Sequence, residues 1–180
     1  MRLLVVSNRL PITISEDSDL KFKESVGGLV SGLKAYLECS NSKSCNSVRD
    51  YVWVGWPGTT IKDSMKEKVQ SKVYCNFHAH PVFLSESAME KFYHGFCNRT
   101  IWPLFHYFTS NVSYDNANWQ YYKKVNVMFC EAVMQILRPD DILWIQDYHL
   151  MLLPGLLKKK FLKGKFFLEI FQPILIVNQN

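Results

Sequence analysis

The chain has 180 residues, of which 48% are hydrophobic and 21% are charged, an ordinary balance for about one globular domain with a buried core. The net charge of +5 is too mild to indicate nucleic acid, and it suits a phosphorylated ligand equally well. The first apolar run reaches Asn8 too soon for a signal-peptide core, and no apolar run has the length of a membrane span. We therefore expect a cytoplasmic protein with neither nucleic acid nor membrane as a partner.

The cysteines form an odd set without C-x-x-C spacing. They are Cys39, Cys45, Cys75, Cys97 and Cys130. This pattern argues against a disulfide framework and against a zinc knuckle. We expect reduced thiols.

Apolar periodicity divides the chain into strands and helices. In chain order it predicts a strand at 2–7, a helix-like stretch after Gly28, a polar loop at 39–50, a strand at 51–58, a helix at 61–70, an extended region at 73–84, a helix from Ser85 or Ser87, a helix at 116–137, a strand at 142–146 and a helix at 150–160. The long helix ends just before Pro139, as the proline rule requires. This alternation predicts an α/β fold with a doubly wound, Rossmann-like parallel sheet.

Polar side chains follow two of the strands where each strand ends. The first strand opens onto Arg9, and the strand at 142–146 opens onto Asp147. Ligands bind above the carboxyl ends of strands in open α/β sheets, so two neighbouring strands would bring both side chains to one crevice. A guanidinium suits a phosphate, and a carboxylate accepts hydrogen bonds from sugar hydroxyls. From position alone, Asp147 is an equally good cap for the helix that follows it.

Gly27 and Gly28 come soon after the first strand and just ahead of a helix-like stretch. Adjacent glycines let backbone amides approach a ligand closely, and a helix N-terminus favours a phosphate. A Gly-Gly pair is more often an ordinary turn, and its place soon after the first strand is what indicates a phosphate loop.

Seven separated motifs occur in the order found in one enzyme family. They are SNRLP at 7–11, GGLVSGL at 27–33, GWPG at 55–58, PVFL at 81–84, YHGFCN at 93–98, LFHY at 104–107 and DYHLML at 147–152. Together they resemble the trehalose-6-phosphate synthase family and cover residues 1 to about 163. The resemblance implies the N-terminal, acceptor half of a GT-B glycosyltransferase, an enzyme with two facing Rossmann-like domains. It also implies transfer of glucose from UDP-glucose to glucose 6-phosphate with retained configuration, with no metal or other cofactor.

The resemblance also assigns roles to the residues at matching positions. It implies that Arg9 contacts the acceptor phosphate and that Asp147 is the catalytic-site carboxylate, which binds acceptor hydroxyls. The wall that holds the acceptor would consist of Tyr93, Trp102 and Trp56. The loop at the donor diphosphate would contain Gly27 and Gly28. Catalysis would then be mostly positioning, with the leaving diphosphate taking the acceptor's proton. Ordinary core packing is the alternative for each of the three aromatic residues.

The sequence departs from the family pattern in two places. Gln146 stands where the family usually has His, and a Gln cannot take up charge. Residues 166–180 no longer follow the family pattern. We therefore expect an acceptor-side domain at 1–165, a divergent tail at 166–180, no donor domain, and little transfer activity from this chain alone.

Other functions remain open. The chain could be a non-catalytic sugar-phosphate-binding or regulatory module, and either a second copy or a full-length synthase subunit could be its protein partner. His78 and His80 on one strand face, together with Asp147 and His149, would suit a metal hydrolase, although no third ligand is positioned. The lysines at 158–160 would suit RNA or a membrane, against a solvated helix face as the ordinary interpretation.

Overall fold

The computed structural model describes residues 2–16, 20–24, 50–160 and 165–169. Its strands are β1 (Arg2–Arg9), β2 (Ile12–Glu16), β3 (Leu20–Glu24), β4 (Asp50–Trp56), β5 (Ala79–Pro81), β6 (Ile142–Gln146) and β7 (Lys165–Glu169). Its helices are α1 (Asp63–Phe77), α2 (Glu86–Met89), a π-helix (Glu90–Ile101), α3 (Trp102–Phe105), α4 (Asn116–Ile136) and α5 (Leu153–Lys160), with 3₁₀ turns at Thr109–Asn111 and Tyr148–Leu150. The predicted loops at 27–28 and 39–49 lie outside the described residues.

Five parallel strands form the central sheet in the order β5-β4-β1-β6-β7. β1 lies in the middle, where Val6 is opposite Val54 of β4 and Ile145 of β6. It is buried from Arg2 to Asn8, as expected of a parallel strand that is covered on both faces. The predicted α/β class with a Rossmann-like parallel sheet is confirmed.

Alternate residues of β1 point into two separate hydrophobic layers, because side chains of a strand alternate between its faces. Leu4 and Val6 pack with residues of α4 and the π-helix. Leu3 and Val5 pack on the opposite face with α1 and with the antiparallel hairpin of β2 and β3. The sequence did not predict this hairpin.

The region between the second and third predicted strands differs from the expectation. α1 continues to Phe77 because Val69 and Val73 stay buried at helical spacing, so the predicted extended region at 73–84 is wrong over its first residues. The helix ends where His78 adopts a left-handed conformation with φ of 48°. Only Ala79–Pro81 pairs as a strand, next to β4.

Ser85 is the N-cap of the next helix, since its hydroxyl accepts a hydrogen bond from the Ala88 N–H at 3.2 Å. Of the two predicted starts, Ser85 is therefore correct. The helix then widens into a π-helix over Glu90–Ile101, which the sequence did not predict. This segment carries Tyr93 towards the carboxyl edge of the sheet, as its contact with His149 shows.

The second half of the chain follows the prediction closely. α4 ends at Ile136, one residue short of the predicted helix, and β6 has the predicted bounds. The predicted helix at 150–160 begins later, at Leu153, because the chain first forms the short 3₁₀ turn after Asp147. β7 crosses the predicted boundary at residue 165, and the division into a domain and a tail stays a prediction.

None of the helices in the described part of the chain is long and apolar enough to cross a membrane.

Candidate functional site

Arg9 and Asp147 lie at the same edge of the sheet. Arg9 is the last residue of β1, and Asp147 directly follows β6, which pairs with β1. The strands are parallel, so both residues stand at carboxyl ends, where open α/β sheets bind their ligands. The structure confirms that these two strands are neighbours, and a crevice shared by the two side chains stays a prediction.

Arg9 is turned outward by an irregularity at the end of β1. The register with β4 shifts between Val6 and Arg9. The Ser7 hydroxyl donates to the Arg9 carbonyl at 2.7 Å and accepts from the Trp53 indole N–H at 2.6 Å. These two hydrogen bonds fix the backbone of Arg9 while its side chain stays exposed.

The Arg9 guanidinium rests against the turn that follows β4. Its Cζ lies 5.4 Å from the centre of the Trp56 ring, and Nη2 donates to Thr13 Oγ1 at 3.4 Å. Gly58 has φ of 90°, and a Cβ at that position would lie 2.5 Å from Nη2 of Arg9. Only glycine leaves room for the guanidinium at this turn, a function that sequence reasoning missed.

Asp147 has a backbone conformation that is rare outside glycine, with φ of 74° and ψ of 163°. Its Oδ1 accepts from the Tyr148 N–H at 2.7 Å, so Asp147 does cap the short 3₁₀ turn. Its Oδ2 accepts from Nδ1 of His149 at 3.0 Å. The side chain is still 31% exposed, so capping leaves the carboxylate accessible to a ligand.

Aromatic rings pack around the imidazole that contacts this carboxylate. The imidazole of His149 stacks on Tyr148 at 4.3 Å between ring centres, and on Tyr93 at 5.4 Å with the two rings 11° from parallel. Phe92 approaches the same imidazole edge-on at 6.3 Å. The structure thus connects Tyr93 and Asp147 through His149, which the sequence analysis had considered only as a metal ligand.

The two predicted tryptophans differ in their surroundings. Trp56 is half-buried and packs against the core, while its ring also faces Arg9. Trp102 is 41% exposed and stacks on His106 at 4.0 Å, so core packing is the wrong interpretation for it. Its described ring contacts are with His106 and Phe108, a different aromatic group from that of Tyr93.

Gln146 is buried at the end of β6, with 1% of its surface exposed. Its backbone pairs with Glu169 of β7. Because Gln146 is buried inside the sheet, it would affect a bound ligand through the residues that surround it.

Three ionisable side chains that feel the charge of Asp147 have raised pKa values. Burial raises the pKa of the Cys97 thiol and of the Tyr148 and Tyr122 hydroxyls, and the negative charge of Asp147 raises all three further. These groups therefore stay protonated at neutral pH. None of the three offers an activated nucleophile.

The described residues contain no group of three or more His, Cys, Asp or Glu side chains that could hold a metal ion. His78 and His80 also do not share a strand face as expected. His78 precedes β5 in a left-handed conformation and is exposed, whereas His80 is buried. The lysines at 158–160 are exposed at the end of α5, as for a solvated helix face.

A parallel sheet with ligand-binding types of side chain at its carboxyl edge defines the class of Rossmann-like α/β domains. The family model of glycosyltransferase family 20 matches residues 1–173. The chain belongs to glycosyltransferase family 20.

Relatives of known function agree with this assignment. The alpha,alpha-trehalose-phosphate synthase [UDP-forming] A of Dictyostelium discoideum is 41% identical over 161 residues, which are 88% of this chain and 20% of the relative. The E. coli trehalose-6-phosphate structure bound with UDP-2-fluoro glucose is 26% identical with a TM-score of 0.69, over 94% of this chain and 33% of that one. The Burkholderia xenovorans synthase in complex with glucose-6-phosphate is 24% identical with a TM-score of 0.69 over the same shares, and shows the fold. The chain thus spans a fifth to a third of these relatives.

Proposed function

We propose that this chain forms the acceptor side of an alpha,alpha-trehalose-phosphate synthase (UDP-forming) and binds glucose 6-phosphate. The observation that carries the proposal is the placement of Arg9 and Asp147 at the carboxyl ends of adjacent strands β1 and β6. The family membership and the names of the relatives support the choice of sugar phosphate over other anions.

Each end of glucose 6-phosphate meets a suitable group in this proposal. The exposed guanidinium of Arg9 gives paired hydrogen bonds to the phosphate. The accessible carboxylate of Asp147 accepts from sugar hydroxyls, and Tyr93 and Trp56 offer ring faces at the same edge. Trp102 contributes to the wall from α3, whose Phe105 contacts Tyr148 edge-on at 6.1 Å.

The transfer itself needs a donor. We propose UDP-glucose, with Gly27 and Gly28 at its diphosphate, as the family resemblance implies. The acceptor hydroxyl attacks the donor sugar, the bond to the diphosphate breaks, and the leaving diphosphate takes the proton on the same face. Protonated Cys97 and Tyr148 fit such a site because no protein nucleophile is required.

The chain spans 20% of the D. discoideum synthase. We propose that the donor half of the site lies in the part of a synthase that this chain does not match. A full-length synthase subunit is the partner that we propose to supply it, and a homo-oligomer of this chain would bring together acceptor sides alone. The same placement of Arg9 and Asp147 would serve a second candidate, a sugar-phosphate-binding or regulatory module without transfer activity.

Calorimetric titration with glucose 6-phosphate, paired with a UDP-release assay, tests the proposal on the 180-residue chain. We expect saturable binding of glucose 6-phosphate and UDP release from UDP-glucose near background. Release that depends on glucose 6-phosphate would show that a complete site forms from this chain. A folded chain that does not bind glucose 6-phosphate would contradict the proposed function itself.

We also propose a cytoplasmic location. Cys97 and Cys130 are buried free thiols and Cys75 is an exposed one, which suits a reducing compartment. Fractionation of cells that express the untagged chain would test this, and recovery in a secreted or organellar fraction would contradict it.

A further inference from the structure

His149 links two residues of the proposed acceptor site. Its Nδ1 lies 3.0 Å from Oδ2 of Asp147, and its ring stacks on Tyr93 at 5.4 Å between centres. The side chain is only 8% exposed, so it does not offer a ligand a large surface of its own. Because His149 contacts both Asp147 and Tyr93, it would affect a bound ligand through these two residues.

The hydrogen bonds of His149 identify its tautomer. A carboxylate accepts, so Nδ1 of His149 must donate to Asp147. Nε2 is buried and has no hydrogen-bond partner among the described residues. The ring therefore carries a proton on Nδ1.

The backbone of His149 is fixed as firmly as its ring. Its carbonyl accepts from the buried amide of Asn126 at 3.2 Å, and that amide also donates to the Tyr122 carbonyl at 2.9 Å. Tyr148 and Tyr93 both stack on the imidazole. A ring held this way can orient a flexible neighbour.

We propose that His149 is a positioning residue for the acceptor sugar. Its Nδ1–H orients the Asp147 carboxylate, and its face holds the Tyr93 ring, so that carboxylate and ring meet the sugar as one preorganised unit. This inference rests on the proposed function, because it takes the sugar to bind at Asp147 and Tyr93. It explains how Asp147 keeps one orientation although it is partly exposed and has an unfavourable φ of 74°.

Two substitutions separate the two contacts. His149→Phe keeps a stacked ring and removes the donor, whereas His149→Asn keeps an N–H near the position of Nδ1 and removes the ring. We expect His149→Phe to raise the Kd for glucose 6-phosphate about tenfold, and His149→Asn to raise it less. In an Asp147→Ala background, His149→Phe should change the Kd by less than about twofold, because the group that it orients is already missing.

The double-mutant cycle distinguishes positioning from a general structural role. Equal fold-losses in both backgrounds would overturn the proposal. So would a loss of affinity that only follows a loss of thermal stability across the variants, measured by unfolding of each chain without ligand.

Imidazole ¹⁵N chemical shifts provide a readout that does not depend on any sugar. At neutral pH we expect the Nδ1–H tautomer of His149 in the wild-type chain, and loss of that preference in Asp147→Ala. An Nε2–H tautomer in the wild type would overturn the proposal, because Nδ1 would then lack the proton that it donates to Asp147. If the wild type shows the Nδ1–H tautomer but fails to bind glucose 6-phosphate, the proposed function fails while the contact between His149 and Asp147 stands.

Discussion

At the scale of single residues, the site depends on backbone conformations that few side chains tolerate. Asp147 adopts φ of 74°, and Gly58 adopts φ of 90° where any Cβ would meet the Arg9 guanidinium. Such strained positions cluster at functional sites because the surrounding structure compensates for them. Here the strained residue is Asp147, one of the two charged groups that the proposal assigns to the sugar phosphate, and the unstrained glycine at position 58 leaves space for the other, Arg9.

Gly58→Ala tests this arrangement for Arg9. The new methyl group would occupy the space of Nη2, and because a guanidinium lies at the end of a flexible chain, it should move away from Trp56 rather than unfold the turn. We expect weaker binding of glucose 6-phosphate, unchanged binding of glucose, and a stability loss of about 1–2 kcal/mol from the left-handed backbone.

Gly155→Ala is the matched control for that substitution. Gly155 lies in α5, and nothing would lie within 4 Å of its Cβ. An alanine there should stabilise the helix by up to about 1 kcal/mol and leave sugar binding unchanged. Equal binding of glucose 6-phosphate by Gly58→Ala and the wild type would contradict the proposed role of the Arg9 guanidinium.

At the scale of elements, a buried ion pair joins β1 to the start of β6. Arg2 donates to Asp141 through Nε at 3.0 Å and through Nη2 at 2.6 Å, and Nη2 also reaches the Ile136 carbonyl at 2.6 Å. Asp141 additionally accepts from the Arg138 N–H at 2.7 Å. The pair therefore fixes the end of α4 and the adjacent strands at the edge of the sheet opposite the proposed site.

Asp141→Ala should destabilise the chain by about 3–5 kcal/mol, because it leaves the Arg2 charge buried without its partner. Urea unfolding followed by circular dichroism measures this change. Asp140→Ala is the control, since Asp140 is exposed, and its effect should stay within about 0.5 kcal/mol. Similar stability of the two variants would show that the pair does not hold these elements together.

His80 on β5 makes stability depend on pH. Burial lowers its pKa, and a hydrogen bond with Gln135 opposes part of that shift. The unfolded chain therefore binds the proton more readily than the folded chain does. The stability associated with a neutral His80 is fully present above the ordinary histidine pKa of 6.5 and is lost as the pH falls below it.

A histidine substitution separates this effect from general acid unfolding. We expect His80→Gln to show a smaller loss of stability between pH 7 and pH 5 than the wild type, measured by urea unfolding at each pH. His78→Asn is the control, because His78 is exposed and Asn tolerates the same left-handed conformation. An identical pH dependence of His80→Gln and the wild type would contradict the assignment.

At the scale of the whole molecule, the sequence predicted the elements with strong local patterns. β1, β6 and α4 follow from apolar runs and periodicity, and the edge at which Arg9 and Asp147 meet follows from the parallel order of their strands. Local patterns did not predict three other features, because contacts distant in sequence decide them. These are the π-helix, the hairpin of β2 and β3, and the extension of α1. The roles of Ser7, Gly58 and His149 have the same origin. Each depends on a contact with a residue that is distant in sequence, namely Trp53, Arg9 and Tyr93 respectively.

The central claim is that Arg9 binds the phosphate of the acceptor. The most direct measurement is calorimetric titration of the wild type, Arg9→Ala and Arg138→Ala with glucose 6-phosphate and with glucose. Arg138 is the control because it is exposed next to the buried ion pair, at the opposite edge of the sheet.

We expect Arg9→Ala to raise the Kd for glucose 6-phosphate about 10- to 100-fold, the usual worth of hydrogen bonds between charged groups, and to leave glucose binding nearly unchanged. Arg138→Ala should bind both sugars as the wild type does. Equal losses for glucose and glucose 6-phosphate in Arg9→Ala, or no loss for either, would contradict the account.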